Sequence, residues 1–413
     1  MNLAKMAWRN VWRRKRRTLI TAFSIGFGVM LAATFTGMAV YMYGNMIDAS
    51  AATGFGHVTV EAQGYNRTPT LDKRLSGAEQ LREQILAMDG IDDAMVRITG
   101  QAMFASAVKS VGGAFLAIDP SQESARFNLL VRSLVEGQVF EGRDGTGVVV
   151  GAKLAEKLNL KLGKKLVYTT TDVKGEIVSE IARVSGIFKT GVKEIDTGMV
   201  LLPIDRVRKV LAYAAGEATL VAVMLKEQRM SVGMRNTIEK QLGHTQCEVL
   251  SWHQTQADLA GMITLDSSSN YISQFLVALL IAAGILNTLL MSVLERTREF
   301  GVMMAIGMSS GRLFGLVIME SVWLALIGLC MGILLTTPWY WYLQVCGLDF
   351  SGMIGGEDYS VSGVLVDPIV RIKLYSESVL AILSIVFALA MLSGIYPAWR
   401  AGRVAPVESL RTI

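Results

Sequence analysis

Three histidines, three cysteines, one glycine-rich stretch beside a lysine and one pair of closely spaced glutamates are the residues best placed to do chemistry in this 413-residue chain. None of the histidines, His57, His244 and His253, has a partner at metal-ligand or catalytic spacing, so each reads as solvated or packed. Cys247, Cys330 and Cys346 form neither a metal-binding pattern nor a disulfide framework. Cys330 lies in an apolar run, while Cys247 and Cys346 fall on one side of the topology given below, which leaves a single bridge open to them. The stretch GTGVVVGAK (145–153) has glycines ahead of a lysine, but G-x-x-x-x-G-K-[ST] is absent, as is a G-x-G-x-x-G opening a helix after a strand. With no nucleophile elbow or paired-carboxylate signature either, the chain reads as non-catalytic. Any ATP that drives it must be hydrolysed by another polypeptide.

The glutamates carry a different kind of chemistry. In ERTREFGVMMAIGMSSGRLF (295–314), Glu295 and Glu299 are spaced i, i+4 and are expected to share one helical face, with Arg296 and Arg298 off it. Gly301, Ala305 and Gly307 supply small side chains that would let another backbone approach. A short acidic helix with a small-residue flank suits docking in a partner's groove, although i, i+4 charges are also common on plain solvated connectors. The tail YPAWRAGRVAPVESLR (396–411) has a similar character, with Pro397, Arg400, Arg403, Pro406 and Glu408 marking a basic segment beside a membrane.

What positions these segments is a set of apolar runs. The chain is 52% hydrophobic and 18% charged, against roughly 45–50% and 25% in soluble domains. The charge-free run from Thr18 to about Tyr43 is long enough to cross a bilayer and too long for a signal-peptide core. Three more runs follow, so the spans are expected at 18–44, 271–294, 313–338 and 378–398, the last breaking at Pro397. Within the third, Glu320 is expected to hydrogen-bond at the interface or between helices, because an unpaired buried charge there is costly.

Orientation comes from the arginines and lysines. Residues 1–17 hold Lys5, Arg9, Arg13, Arg14, Lys15, Arg16 and Arg17 with no acid; Arg296, Arg298 and Arg312 lie in the loop 295–312, and Arg400, Arg403 and Arg411 in the tail 399–413. All three segments are expected to be cytoplasmic, which makes this a multi-pass protein of the inner membrane with both termini inside. The net charge of +5 is thereby assigned to membrane anchoring and not to nucleic acid. Residues 45–270 and the loop 339–377 are then outside.

The outer segment 45–270 is large enough for two subdomains and reads as mixed α and β. GHVTVEA (56–62) alternates like a strand, 77–88 has helical spacing, 147–170 reads strand, helix, turn, strand, and 183–190 and 199–214 repeat strand and strand-to-helix patterns. TTTDVKGEIVSE (169–180) reads as a hairpin turning at Lys174-Gly175, an ordinary connection or an edge offered to a partner.

Two motifs now carry a resemblance. Glu295, Arg296, Glu299, Phe300, Gly301, Ala305, Ile306 and Gly307 match the E-R-x-x-E-[FI]-G-x-x-x-A-[IL]-G pattern of FtsX-like or MacB-type ABC transporter permeases, and Pro397, Ala398, Ala401, Pro406, Glu408, Leu410 and Arg411 match their tail pattern. The fold implied is four transmembrane helices plus a large α+β periplasmic domain of the MacB core type, inserted between helices 1 and 2. The resemblance further implies a mechanotransmission machine in which two permease subunits, identical or related, sit on two ABC ATPase subunits. ATP and Mg would be bound by those partners and no cofactor by this chain, with 295–307 as the coupling helix.

Among such permeases, this one is similar to the lipoprotein-releasing LolC/LolE type, which implies a lipidated substrate in the bilayer and a periplasmic carrier. It departs from that type at 169–180, which lacks a clear counterpart of the carrier-binding hook. The alternatives are a MacB-like export component with a periplasmic adaptor and an FtsX-like regulator of a cell-wall hydrolase.

Overall fold

The computed structural model describes residues 3–243, 247–349, 360–361, 364–365 and 369–403. His244, Pro406 and Glu408 lie outside them. The chain divides into two compact units: Met1–Tyr41, Thr264–Asp349 and Ile369–Ile413 form one, and Met42–Ile263 with Phe350–Pro368 the other.

In the first unit, a short N-terminal helix (Leu3–Arg13) precedes four helices long and apolar enough to cross a membrane. Span 1 is Lys15–Ser50, span 2 Ala257–Glu295, span 3 Ser310–Val345 and span 4 Ser376–Gly402. Their shared core joins Ile25 and Val29 of span 1, Ile281, Ile285 and Leu289 of span 2, Leu324 of span 3, and Val386 and Ala390 of span 4. Small residues set the spacing: a Cβ on Gly328 would lie 2.7 Å from Ile25, and one on Gly26 would lie 2.9 Å from the backbone of Gly332. Gly26, Gly28 and Gly37 are therefore contact points within the unit, facing Gly332, Ile281 and Ile372 respectively, whereas Gly284 has open space beside it.

The expected break at proline needs correction, and a second proline behaves alike. Span 4 does not break at Pro397 but continues to Gly402, and span 3 passes through Pro338 to Val345. Neighbouring helices hold the ends in place, as where Ser310 Oγ donates to Gly402 O at 2.7 Å and Ala398 and Ala401 are fully buried. A transmembrane helix tolerates proline when packing re-satisfies the freed groups. Span 2 begins at Ala257, well before its apolar run, because a polar stretch containing Asp258, Asp266 and Ser267–Ser269 continues the same helix.

The inserted unit is built on one ten-stranded mixed sheet. Its strands are β1 (Val58–Ala62), β2 (Ile91–Ala105), β3 (Ser110–Ile118), β4 (Leu134–Gly137), β5 (Gly147–Gly151), β6 (Lys165–Thr171), β7 (Ile177–Phe188), β8 (Met199–Pro203), β9 (Leu220–Leu225) and β10 (Cys247–Ser251). They run β10-β1-β9-β2-β3-β8-β5-β7-β4, with β6 against β2 and β7. The sheet has two halves that share β2. Residues Ile91–Arg97 of that long strand pair with β9 and Ile98–Ala105 with β3, so one hydrogen-bonded unit results. Buried Val, Ile and Leu from β1, β2, β5, β8 and β9 form its continuous core.

The hairpin turns where the sequence indicates. Asp172 accepts from the backbone N–H of Lys174 at 2.8 Å and of Glu176 at 2.9 Å. Over Val167–Thr169, however, β6 is paired on both flanks, so it offers no free edge there. Neither Cys247 nor Cys346 is in a disulfide.

Candidate functional site: a charged junction beside the link helix

The segment with the clustered glutamates does form a helix, but a shorter one than its spacing suggests. Span 2 ends at Glu295, Arg296 leaves the helical region (φ −113°, ψ 12°), and a separate link helix covers Thr297–Ala305. Glu295 and Glu299 therefore belong to two helices and share no continuous face. The physical cause is Arg296, which turns inward: its Nη1 donates to Glu320 Oε1 at 2.9 Å, its Nε to Glu299 Oε2 at 3.0 Å, and its guanidinium lies 5.1 Å over the Phe300 ring.

Glu320 is 5% exposed in span 3 and accepts a second hydrogen bond from Asn10 Nδ2 at 2.7 Å. One buried carboxylate thus ties the N-terminal helix, the link and span 3 together, which meets the requirement that an intramembrane charge be paired. The N-terminal helix is held there by aromatics as well, since Trp8 meets Trp323 edge-on at 4.8 Å and Trp323 Nε1 donates to Ala4 O at 3.1 Å.

The other glutamates are also paired. Arg14 and Arg17 both reach Glu295, and Arg17 also donates to the backbone oxygen of Thr288. Arg13 Nη1 reaches Glu299 Oε1 at 2.9 Å. Burial pulls the Glu299 carboxyl up, but Arg296 and then Arg13 outweigh it and hold it below its ordinary range. The helix consequently does not present an acidic surface. Its carboxylates close a junction around a polar cavity of about 170 Å³ walled by Asn10, Arg17, Thr288, Arg296 and Glu320.

What faces outward is different. Phe300 is buried against Val293, Leu313, Leu316 and Val317, and Gly301 beside it is also buried. Arg298, Val302, Ala305 and Ile306, at i, i+4, i+7 and i+8, are exposed, Ile306 at 82%. That spacing is one stripe of a helix, apolar apart from a single arginine. Gly307, at φ +101°, supplies the left-handed turn into span 3. In the tail, Pro397 is buried, Arg400 is exposed, and Arg403 stacks 4.0 Å over Trp399.

Sequence spacing missed Asn10, Arg13, Arg14 and Arg17 as members of the site, although a basic cluster and an acidic link in one chain are opposite charges able to pair. Among the described residues, no group of His, Cys, Asp and Glu is arranged to hold a metal ion. The arrangement holds a helix rigidly from behind and leaves its front open.

Comparison with known proteins places this geometry. The model of the FtsX-like permease C-terminal region matches residues 271–406, and that of the MacB-like periplasmic core domain matches residues 18–240. An ABC transporter permease of Methanocaldococcus jannaschii is 21% identical, over 99% of this chain and 98% of that protein. The lipoprotein-releasing system transmembrane protein LolC of Xylella fastidiosa is 22% identical over 71% of each chain. Among solved structures, the periplasmic region of MacB from Actinobacillus actinomycetemcomitans aligns with 51% of this chain and 94% of its own length, at 11% identity and a TM-score of 0.34.

Proposed function

Because this chain belongs to the ABC transporter permeases that join a MacB-like periplasmic core domain to an FtsX-like C-terminal region, we propose that it converts ATP hydrolysis by a separate ATPase into movement of its inserted domain. The observation that carries this reading is the link helix. Its inner side is fixed by Arg296, Phe300 and Gly301, while Arg298, Val302, Ala305 and Ile306 stand free to enter a groove on the ATPase. The basic residues of 1–17, the link and the tail support a cytoplasmic place for this helix and an outer one for the inserted domain, in the positive-inside sense. ATP and Mg belong to the partner.

A second permease, identical or related, completes the complex. Exposed Ile272, Phe275, Leu276, Leu279 and Leu280 on span 2 form an apolar surface suited to it or to lipid. The work done is release of a lipidated protein from the outer leaflet of the inner membrane, a reading supported by the resemblance to LolC. The match to the MacB-like core domain favours a second reading, an export component acting with a periplasmic adaptor.

Co-purification separates the readings. The assembled complex in its nucleotide-free state should retain an acylated protein detectable by mass spectrometry. Its absence, together with stable capture of a periplasmic adaptor, would move the assignment to export. Within the complex, Ile306→Asp should abolish retention of the ATPase while leaving the permease folded, and unchanged retention would refute the docking face.

A further inference from the structure

The last turns of span 1 belong to the inserted unit, which begins at Met42. They end in a wide helical turn, Ala51–Phe55, closed by Gly56 N–H to Ala51 O at 2.9 Å. Gly56 itself has φ +74°, and a Cβ on it would lie 2.8 Å from the backbone of Val223, so the chain passes into β1 against β9 with no room to spare.

At this crossing sits Arg97, a fully buried side chain in the middle of β2. It is the last β2 residue paired with β9, opposite Leu220, and its neighbour Ile98 is the first paired with β3. The side chain therefore leaves the one strand shared by both half-sheets, at the point where they meet. Its Nη1 donates to Gly54 O at 2.8 Å. Nε and Nη2 grip Glu123 in a fork, at 2.7 and 2.8 Å, and Nη2 also approaches Met95 Sδ at 3.4 Å. Glu123 is fixed in turn by Asn128 Nδ2 at 3.0 Å, and Asn128 caps the short helix Leu129–Arg132.

Two lesser ties flank this one. His57 Nε2 bonds Asp48 Oδ1 at 2.9 Å while its Nδ1 accepts from the N–H of Leu225 on β9 at 3.0 Å. Gln256 Nε2 donates to Ser50 O at 3.2 Å.

An ion pair this deeply buried is an expensive way to fill space. Apolar side chains of similar volume commonly match or exceed the stability such a pair provides, and the surroundings, Ala51, Met95, Leu220, Ala222 and Met224, would accept one. What a methionine could not reproduce is direction, because a guanidinium held by a bidentate carboxylate has one orientation in which its remaining N–H groups reach a carbonyl.

We infer that Arg97 is the positioning residue of transmission: braced by Glu123, it locks the carbonyl of Gly54 at the end of span 1 to the strand common to both half-sheets, so that displacement of the helix moves the sheet without slack. The inference rests on the proposed function, since it assigns how ATP-driven motion reaches the inserted domain.

The test uses the complete complex with its ATPase, with spin labels at Phe23 and Ile177, both exposed, and distances measured without nucleotide and after trapping with ATP and vanadate. Wild type should show a nucleotide-dependent shift. In Arg97→Met/Glu123→Gln, which leaves no orphaned charge, melting and ATPase rate should stay near wild type while the shift is lost. If that variant fails to fold, Arg97→Lys serves in its place, because it keeps a charge for Glu123 but cannot also reach Gly54. A full shift in a folded variant overturns the inference. Absence of any shift in wild type overturns the proposed function instead. Hydrogen exchange then decides the clamp by itself: Arg97→Lys should deprotect residues 51–57 selectively, and unchanged protection there refutes it.

Discussion

Replacing Arg296 by methionine removes one partner of a buried pair and leaves the other in place. Arg296 and Glu320 side chains are 10% and 7% exposed, and after the substitution the Glu320 carboxylate keeps only the hydrogen bond from Asn10. Truncating one member of such a pair costs about 3–5 kcal/mol, most of it the penalty for an uncompensated charge. The second contact of Arg296, with Glu299, adds little, since that carboxylate is 39% exposed and exposed pairs contribute about 0–1 kcal/mol. The fold should therefore lose on the order of 3–5 kcal/mol, roughly a 10²- to 5 × 10³-fold fall in the folded-to-unfolded ratio. Adding Glu320→Leu removes the stranded charge, and the double variant Arg296→Met/Glu320→Leu should recover most of the loss. The assay is reversible unfolding of the full chain in mixed micelles, with the two single variants and the double variant completing a cycle. A loss below about 1 kcal/mol for Arg296→Met, the range of an exposed pair, or no recovery in the double variant, would refute the reading of Glu320 as the hub of the junction.

Two further perturbations probe other parts of the account. Glu61 on β1 is 1% exposed, and its pKa is pushed up to about 7, first by burial and further by neighbouring Glu248, against the hydrogen bond from Asn66 N–H and the charge of Lys73. The folded state then holds a proton that the unfolded state has released between its ordinary value near 4.5 and about 7, so stability falls as pH rises through that window. The full effect is on the order of 3 kcal/mol, and Glu61→Gln should flatten the dependence of the denaturation midpoint on pH between 5 and 8. In span 4, a Cβ on Gly394 would lie 2.9 Å from Cβ of Ser321 on span 3. Gly394→Leu should therefore destabilise by about 1–3 kcal/mol through overpacking, read as a lower Tm, whereas Gly284→Leu, which meets nothing within 4 Å, should not.

Much of this architecture is legible in the chain because its signals are local. A charge-free run long enough to span a bilayer announces itself, as do the alternation over 58–62 and the strand-to-helix passage at Val149–Leu158. The helices that outran their apolar runs show where hydropathy stops informing: the helical backbone continues through polar Asp258–Ser269 and past Pro338 and Pro397 once neighbouring helices hold the chain.

Long-range pairing is less legible still. β1 lies between β9 and β10, with Val60 opposite Val221 and Val249, and nothing near residue 60 specifies those partners. The link segment does form a helix at Thr297–Ala305, but its spacing implies an acidic face that the helix does not present. The charges of Glu295 and Glu299 are taken up by Arg13, Arg14 and Arg17, 278 to 286 residues away, and Arg296 breaks the helix between them to reach Glu320. Arg97 carried no sequence signal at all, because an arginine inside an apolar strand reads as an interruption until its carboxylate and carbonyl are placed around it.

The central claim is that a separate ATPase engages the outward stripe of the link helix, and site-specific photo-crosslinking in intact membranes tests it most directly. A photoreactive residue at position 306 should form an adduct with the ATPase, strongest at 302 and 306 and absent at buried 300. Adducts from exposed Leu19 or Leu280 instead, with none from 302 or 306, would contradict it.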